Sequence, residues 1–244
     1  MAESKSSLST ENLWYQYSDE IVALRGISIE IPQGAFVAVL GQNGSGKTTL
    51  IKHFNGLLRP TSGRVLVGDQ DARQRTIGQL AQSVGYVFQN PDHQIFCDTT
   101  REELAFGPRN LGLSPGAVEQ RTDETLTLFG LTEHADEPPA LLGFGLRRKI
   151  SIAAVYAMRP EILILDEPTA GLDWKSTLDL IRLLQDLHRE GHTILLVTHD
   201  MKVAAAFTEL TLVLRDGQVL LYEETRAVFG QTETLRQTQI EPRQ

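Results

Sequence analysis

Hydrophobic and polar positions follow distinct rhythms along this chain. Ile27, Ile29 and Ile31 alternate with Ser28 and Glu30, the period-two pattern of a half-buried strand. Pro32-Gln33-Gly34 predicts a turn. AFVAVL (35–40) is then apolar without a break, as suits a parallel strand covered on both faces. A glycine-rich loop follows, and a helix is predicted from about Lys47 to Gly56. RVLV (64–67) and VGYVF (84–88) read as further short strands. Residues 1–9 are polar and read as loose.

Strand patterns vanish between about Asn90 and Arg159. TTREELAF (99–106), PGAVEQRTDETLTLFG (115–130) and LRRKISIAAVYAM (146–158) read as helices, the second capped by Ser114 with Pro115 in its first turn. ILILD (162–166) and TILLVT (193–198) restore the strand signal on either side of a helix over about 174–190. TLVLRDGQVLLY (211–222) predicts a hairpin turning at Asp216-Gly217. The last twenty residues are polar apart from Ala227-Val228-Phe229. Strands alternating with helices predict an α/β fold with a parallel sheet. The helical block interrupts that sheet, so 1–89 and 160–222 read as one discontinuous core, 90–159 as an inserted helical subdomain and 223–244 as a C-terminal tail.

Composition narrows the picture. The 244 residues are 41% hydrophobic and 22% charged, values of a globular chain. Cys97 is the single cysteine, which excludes an intramolecular disulfide framework and a cysteine zinc cluster. A formal net charge of −8 argues against a nucleic-acid grip. No apolar run reaches the 18 residues of a membrane-crossing helix. MAESKSSLSTEN lacks the apolar stretch of a secretory leader, and none is expected.

Three segments carry chemistry. GQNGSGKTT (41–49) matches G-x-x-x-x-G-K-[ST] between a predicted strand and a predicted helix, the context that motif requires. Gly41, Gly44 and Gly46 let backbone N–H groups turn inward around phosphate oxygens, with Gln42, Asn43, Ser45 and Thr49 completing the loop. The helix N-terminus adds its positive dipole end. Lys47 is placed to reach the β- and γ-phosphates, and Thr48 offers a hydroxyl to Mg²⁺. ILILDE (162–167) ends an apolar strand in two carboxylates. Asp166 is the expected Mg²⁺ partner, and Glu167 is expected to orient or deprotonate an attacking water. His199, after TILLVT, is a candidate for stabilising charge at a γ-phosphate. The pair of carboxylates points to nucleoside triphosphate hydrolysis rather than binding alone.

Together these segments, with LILDEPTAGLD (163–173) and LLVTHD (195–200), resemble an ABC-type ATPase over nearly the whole chain. That resemblance implies an ATP-binding core with an antiparallel β subdomain and a helical subdomain, and head-to-tail dimers with two ATP molecules at the interface. VGYVFQNPDHQIF (84–96), EELAFGPRNLGL (102–113) and the C-terminal tail are similar to the ATPases of energy-coupling-factor importers, which take up vitamins or transition-metal ions. It implies the partners of that group: a second ATPase, a transmembrane coupling protein and a substrate-capture membrane protein, with the chain peripheral on the cytoplasmic face of the membrane. A soluble, non-transport ABC-type ATPase is the alternative. By position, Tyr17 is implied to stack on adenine, although Tyr15 lies two residues away, and either is also a plausible core aromatic of a strand. Gln89 is implied as a Mg²⁺ ligand where the helical part joins the core. Asp173 is implied to communicate across the dimer and also fits a helix N-cap. Ile95, Phe96 and Phe106 either floor the groove for membrane coupling helices or pack inside the helical subdomain.

One segment departs from that family. Its Leu-Ser-Gly-Gly-Gln signature is here Leu142-Gly143-Phe144-Gly145-Leu146. Gly143 lacks the hydroxyl of a cap, and Phe144 is expected to crowd a backbone that must approach phosphate and to resist positive φ. Arg147, Arg148 and Lys149 put three positive charges beside a helix N-terminus, which disfavours the helix unless an anion binds; the other reading is a solvated basic patch. The phosphate loop and the carboxylate pair being intact while the signature is not, an asymmetric heterodimer is expected over a homodimer, the alternative being a slow homodimer in which Phe144 swings aside.

Overall fold

The computed structural model describes residues 6–18, 20–231 and 235. Ten strands run in the order β1 (Ser6–Ser18), β2 (Ile21–Pro32), β3 (Phe36–Gly41), β4 (Ser62–Val67), β5 (Gln70–Asp71), β6 (Val84–Val87), β7 (Ile162–Asp166), β8 (Thr193–Val197), β9 (Leu210–Arg215) and β10 (Gln218–Glu224). Among the described residues eight α-helices accompany them: α1 (Lys47–Phe54), α2 (Ile77–Ala81), α3 (Thr100–Asn110), α4 (Pro115–Leu128), α5 (Phe144–Tyr156), α6 (Trp174–Arg189), α7 (Met201–Phe207) and α8 (Thr225–Gly230).

An antiparallel sheet has the order β2-β1-β4-β5, and a six-stranded sheet has the order β10-β9-β3-β8-β7-β6. Within the larger sheet β9, β3, β8, β7 and β6 are mutually parallel, and β10 closes one edge antiparallel. Every residue of β3, β6, β7 and β8 is buried, so both faces must be covered. On one face Val37, Val39, Ile164 and Val197 pack against Leu8, Leu13, Ile27 and Ile31 of the antiparallel sheet and Leu50 and Phe54 of α1. On the other, Phe36, Val87, Leu163 and Leu165 pack with Leu104, Leu126 and Ile152 of the helical block and Ile181 and Leu184 of α6. The inserted helices therefore share one apolar cluster with the sheet.

Several expectations change. Residues 6–9 are not loose, because Ser6–Ser18 form a 13-residue strand with Leu8 and Leu13 fully buried. Register shifts at Thr10/Leu13, Leu13/Tyr15 and Tyr15/Gln16 interrupt the alternation that would have announced it. The first helix of the insert continues through Pro108 to Asn110, and the third starts two residues early, at Phe144. α2 and α7 were unmarked in the sequence. Part of the stretch read as tail is packed: Val228 of α8 and Leu235 are buried against Leu40, Met201 and Val213. Residues 232–234 and 236–244 lie outside the described residues. The hairpin turns as expected, with Asp216 at φ 50° and Gly217 at φ 77°, the positive pair of a type I′ turn.

The shared cluster makes a prediction. Ile152 is fully buried between α5 and the sheet, so Ile152→Ala should cost about 2–5 kcal/mol. Urea unfolding followed by circular dichroism should show one earlier transition. A separate first loss of the helical block would show that it folds as an independent unit.

Candidate nucleotide cleft

Because β3, β8, β7 and β6 are adjacent and parallel, their carboxyl ends meet along one edge, where open α/β sheets bind ligands. The loop after β3, Asp166 and Glu167 at the end of β7, His199 after β8 and Gln89 after β6 all line one cleft of about 1220 Å³. Tyr17 forms part of its rim with Ile21, Val22 and Ala23.

Local sequence explains the phosphate loop. Gly46 caps α1 at φ 102° with no side chain on the helix's free N–H groups, and a Cβ there would stand 2.9 Å from Ala23 O and Leu24 Cδ2. Only glycine both turns the chain and fits beneath β2. The first N–H groups of α1 stay open to an anion. Lys47 Nζ donates to Gly41 O at 2.7 Å and Gln42 O at 2.9 Å. Burial pulls its ammonium below the ordinary lysine range, opposed by Glu167 and Asp166. Ser45 is the one loop residue that does not line the cleft. Its Oγ is buried without a partner, and its backbone oxygen accepts from Gly217 N–H at 3.1 Å.

Across the cleft, Asp166 is 4% exposed. Its Oδ2 accepts from Thr48 Oγ1 at 3.2 Å and from Tyr86 Oη at 3.1 Å. Burial raises this carboxyl above its ordinary value, against the pull of those two hydrogen bonds. The Tyr86 hydroxyl is pushed far up by burial and by Asp166, so it stays a donor. Tyr86 was missed from sequence; it becomes a neighbour only because β6 pairs with β7. A hydroxyl and a carboxylate oxygen are hard donors, the kind Mg²⁺ takes when it shares a site with phosphates. Among the described residues no cluster of three or more His, Cys, Asp or Glu could hold a metal ion.

Glu167 takes the left-handed conformation, φ 49°, a strain of about 1–3 kcal/mol for a residue with a side chain. Its backbone N–H still reaches Val197 O at 2.9 Å. Its Oε2 lies 2.8 Å from His199 Nδ1, while the His199 side chain is 74% exposed. The strained turn thus aims two consecutive carboxylates at different partners.

The two tyrosines separate. Tyr17 is 55% exposed and hydrogen-bonds Thr49 Oγ1 through its hydroxyl at 3.1 Å. Tyr15 packs edge-on between Tyr17 and His53, with both centroid distances 4.9 Å. The cleft therefore receives Tyr17 and not Tyr15.

The signature segment does not reach this cleft. Gly143 is the N-cap of α5 without a side-chain cap, and Gly143 and Gly145 are exposed. They line a separate cavity of about 650 Å³ with Leu146, Leu172 and Leu180. Two expectations there are corrected. Phe144 is the first helical residue, so no positive φ is asked of it. The three basic residues are neither a free anion site nor a solvated patch. Arg147 pairs with Asp92 at 2.9 Å and donates to Leu142 O at 2.6 Å, Arg148 is 1% exposed, and Lys149, like Arg147, is half-buried. Asp173 caps α6, accepting from Ser176 N–H at 2.7 Å, which holds its carboxyl below the ordinary range. Of the three groove candidates, Ile95 packs on the helical core. Phe96 and Phe106 stand exposed as an edge-to-face pair, with centroids 4.7 Å apart.

Comparisons with known proteins fit this geometry. Residues 24–170 match the family model described as "ABC transporter". The energy-coupling factor transporter ATP-binding protein EcfA of Methanocaldococcus jannaschii is 40% identical over 235 residues, 96% of this chain and 84% of that protein. A Caldanaerobacter subterraneus protein named for ABC transporter ATP binding is 43% identical over 96% of this chain, but this chain spans only 41% of its length. The structure of cbiO1 from Clostridium perfringens, described as part of the ABC transporter complex cbiONQ, superimposes with a TM-score of 0.86. It is 37% identical, with 97% of this chain and 96% of that one covered.

The buried carboxylate carries a prediction. The folded Asp166 holds its proton to higher pH than the unfolded chain, whose carboxyl titrates at the ordinary aspartate value of 3.8. Folding therefore takes up a proton between those two values, and stability falls as pH rises through that interval. Asp166→Asn should raise the stability of the nucleotide-free chain by about 0.5–2 kcal/mol and flatten its thermal midpoint between the unfolded and folded values. A midpoint that falls at neutral pH would show that Asp166 stabilises the fold by pairing with Lys47.

Proposed function

Because the chain belongs to the ABC transporter family of ATP-binding proteins, we propose that it is the ATP-hydrolysing subunit of an energy-coupling-factor type importer, powering uptake of a vitamin or a transition-metal ion. The observation that carries the chemistry is the convergence of Lys47, Asp166, Glu167 and His199 on one cleft. The importer assignment is supported by relatives of that name and architecture that match over nearly the whole chain.

Each residue has a role in that reaction. Tyr17 stacks on adenine. Lys47 and the open N–H groups of α1 hold the phosphates. Thr48, Asp166 and Gln89 would hold Mg²⁺, which would supply positive charge against the phosphates. Glu167 accepts a proton from the attacking water as its oxygen bonds the γ-phosphorus and the bond to the ADP oxygen breaks. His199 Nδ1–H donates to the Glu167 carboxylate, keeping it aimed, and the imidazole stands beside the charge that develops on the γ-phosphate.

The signature segment lies away from this chain's own cleft, so it serves a partner's. Its missing hydroxyl at Gly143 favours an asymmetric pair, in which a second ATPase with an intact signature completes this cleft. Among the described residues no helix is long and apolar enough to cross a membrane. Membrane attachment therefore runs through a transmembrane coupling protein and a substrate-capture protein, with the exposed Phe96–Phe106 pair as contact and the chain peripheral on the cytoplasmic face.

Glu167→Gln tests the reading. It should bind MgATP with near-native affinity and lose about 10²–10⁴-fold in hydrolysis. Light scattering with MgATP should give the 27.1 kDa monomer when the chain is alone and a 1:1 complex once a partner ATPase is added. A doubled mass for the chain alone would overturn the asymmetric arrangement. Failure to copurify with membrane proteins from its own cells would overturn the importer assignment.

A further inference from the structure

We infer that Phe144 and Arg148 form a clamp through which the N-terminus of α5 positions the Gln89 segment of the nucleotide cleft. Four observations meet at the Arg148 guanidinium. It is 1% exposed, among the largest fully buried side chains of the described residues. Its Nη1 donates to Phe88 O at 2.9 Å and its Nη2 donates to Gln89 O, so its fork grips the two carbonyls that lead into the cleft from β6. Its Cζ sits 5.4 Å from the centroid of the Phe144 ring, within cation–π range. The ring edge of Phe144 in turn lies against Gly171: a Cβ on Gly171 would stand 3.0 Å from Phe144 Cε1.

A buried guanidinium is costly unless its charge is matched. Here the match consists of two carbonyl oxygens, the face of one ring and the nearby charge of Asp166, with Nε left without a hydrogen-bond partner. The ring also shields those two hydrogen bonds from water, which strengthens them. Phe144 is the residue that departs most from the family signature, and a glycine at its place would leave the guanidinium face open. The side chain that looked like damage to the signature thus completes a link from α5 to the Gln89 segment. It reaches a third element as well, since Gly171 lies in the turn between Glu167 and Asp173. Gln94 supports the same seam, accepting from Phe88 N–H at 3.2 Å and donating to Ser151 O at 2.7 Å, but among the described residues only Arg148 hydrogen-bonds Gln89 itself. Both members are positioning residues. The functional consequence rests on the reading of Gln89 as a Mg²⁺ ligand, whereas the clamp does not.

Hydrogen–deuterium exchange of residues 88–95 in the full chain reads the clamp directly. Phe144→Leu and Arg148→Met should each speed exchange there by about tenfold, in line with loss of a desolvated cation–π contact, and leave β3 and α6 unchanged. Phe144→Tyr, which keeps the ring, should exchange like the parent chain. Titration with ATP should show both loss variants weakened about tenfold with excess Mg²⁺ and unchanged in EDTA, with Arg148→Met adding nothing to Gln89→Ala. If Arg148→Met does not fold, Arg148→Lys and the half-buried Phe144→Leu carry the test. Native exchange at 88–95 in folded loss variants would overturn the clamp, as would Phe144→Tyr exchanging as fast as Phe144→Leu. If exchange behaves as expected but Gln89→Ala leaves MgATP affinity untouched, the clamp stands and the role given to Gln89 falls.

Discussion

The burial of four adjacent parallel strands is the constraint on which the rest depends. β3, β8, β7 and β6 present apolar side chains to both faces, so each face has to be roofed and no polar side chain can be spent in the middle. One roof is the antiparallel sheet with α1, the other the helical block with α6. Chemistry is thereby driven to the strand ends. Because the four strands run the same way, the ends that carry the phosphate loop, the two carboxylates, His199 and Gln89 fall on one edge.

That edge is built at the expense of local stability. Lys47 and Asp166 are both buried, and burial disfavours the charged form of each. Glu167 holds a left-handed backbone, and α1 begins with no side chain satisfying its free N–H groups. Three of these features, all but the Glu167 backbone, share one physical remedy, a polyanion with its metal. It would neutralise Lys47, give Asp166 a cation and accept from the N–H groups of α1. The strain is a form of preorganisation: donors and acceptors stand in place before the phosphates arrive.

The helical insert shows how a departure from a family pattern can be absorbed. Two of the three charges that crowd the start of α5 are spent inward, Arg147 on Asp92 and Leu142 O, Arg148 on Phe88 and Gln89. Gly143 and Gly145 stay exposed beside them, so the helix N-terminus remains uncovered even without the hydroxyl of the family signature.

Sequence by itself determined the strand-loop-helix around Lys47, the carboxylate pair after an unbroken apolar strand, the Asp216-Gly217 hairpin and the helical character of the insert. Each is a local signal: contiguous apolar residues, a glycine pattern, or a cap such as Ser114. Tertiary structure alone decided what needs pairing between distant segments. Ser6–Ser18 becomes a strand because β2 and β4 flank it, although its bulges erase the alternation. Tyr86 joins the site through the register of β6 on β7. Tyr17 rather than Tyr15 faces the cleft because Tyr15 is held by His53. Arg148 reads as surface charge in the sequence and is buried in the fold, because carbonyls about 60 residues away and a neighbouring ring supply a partner that no local pattern encodes.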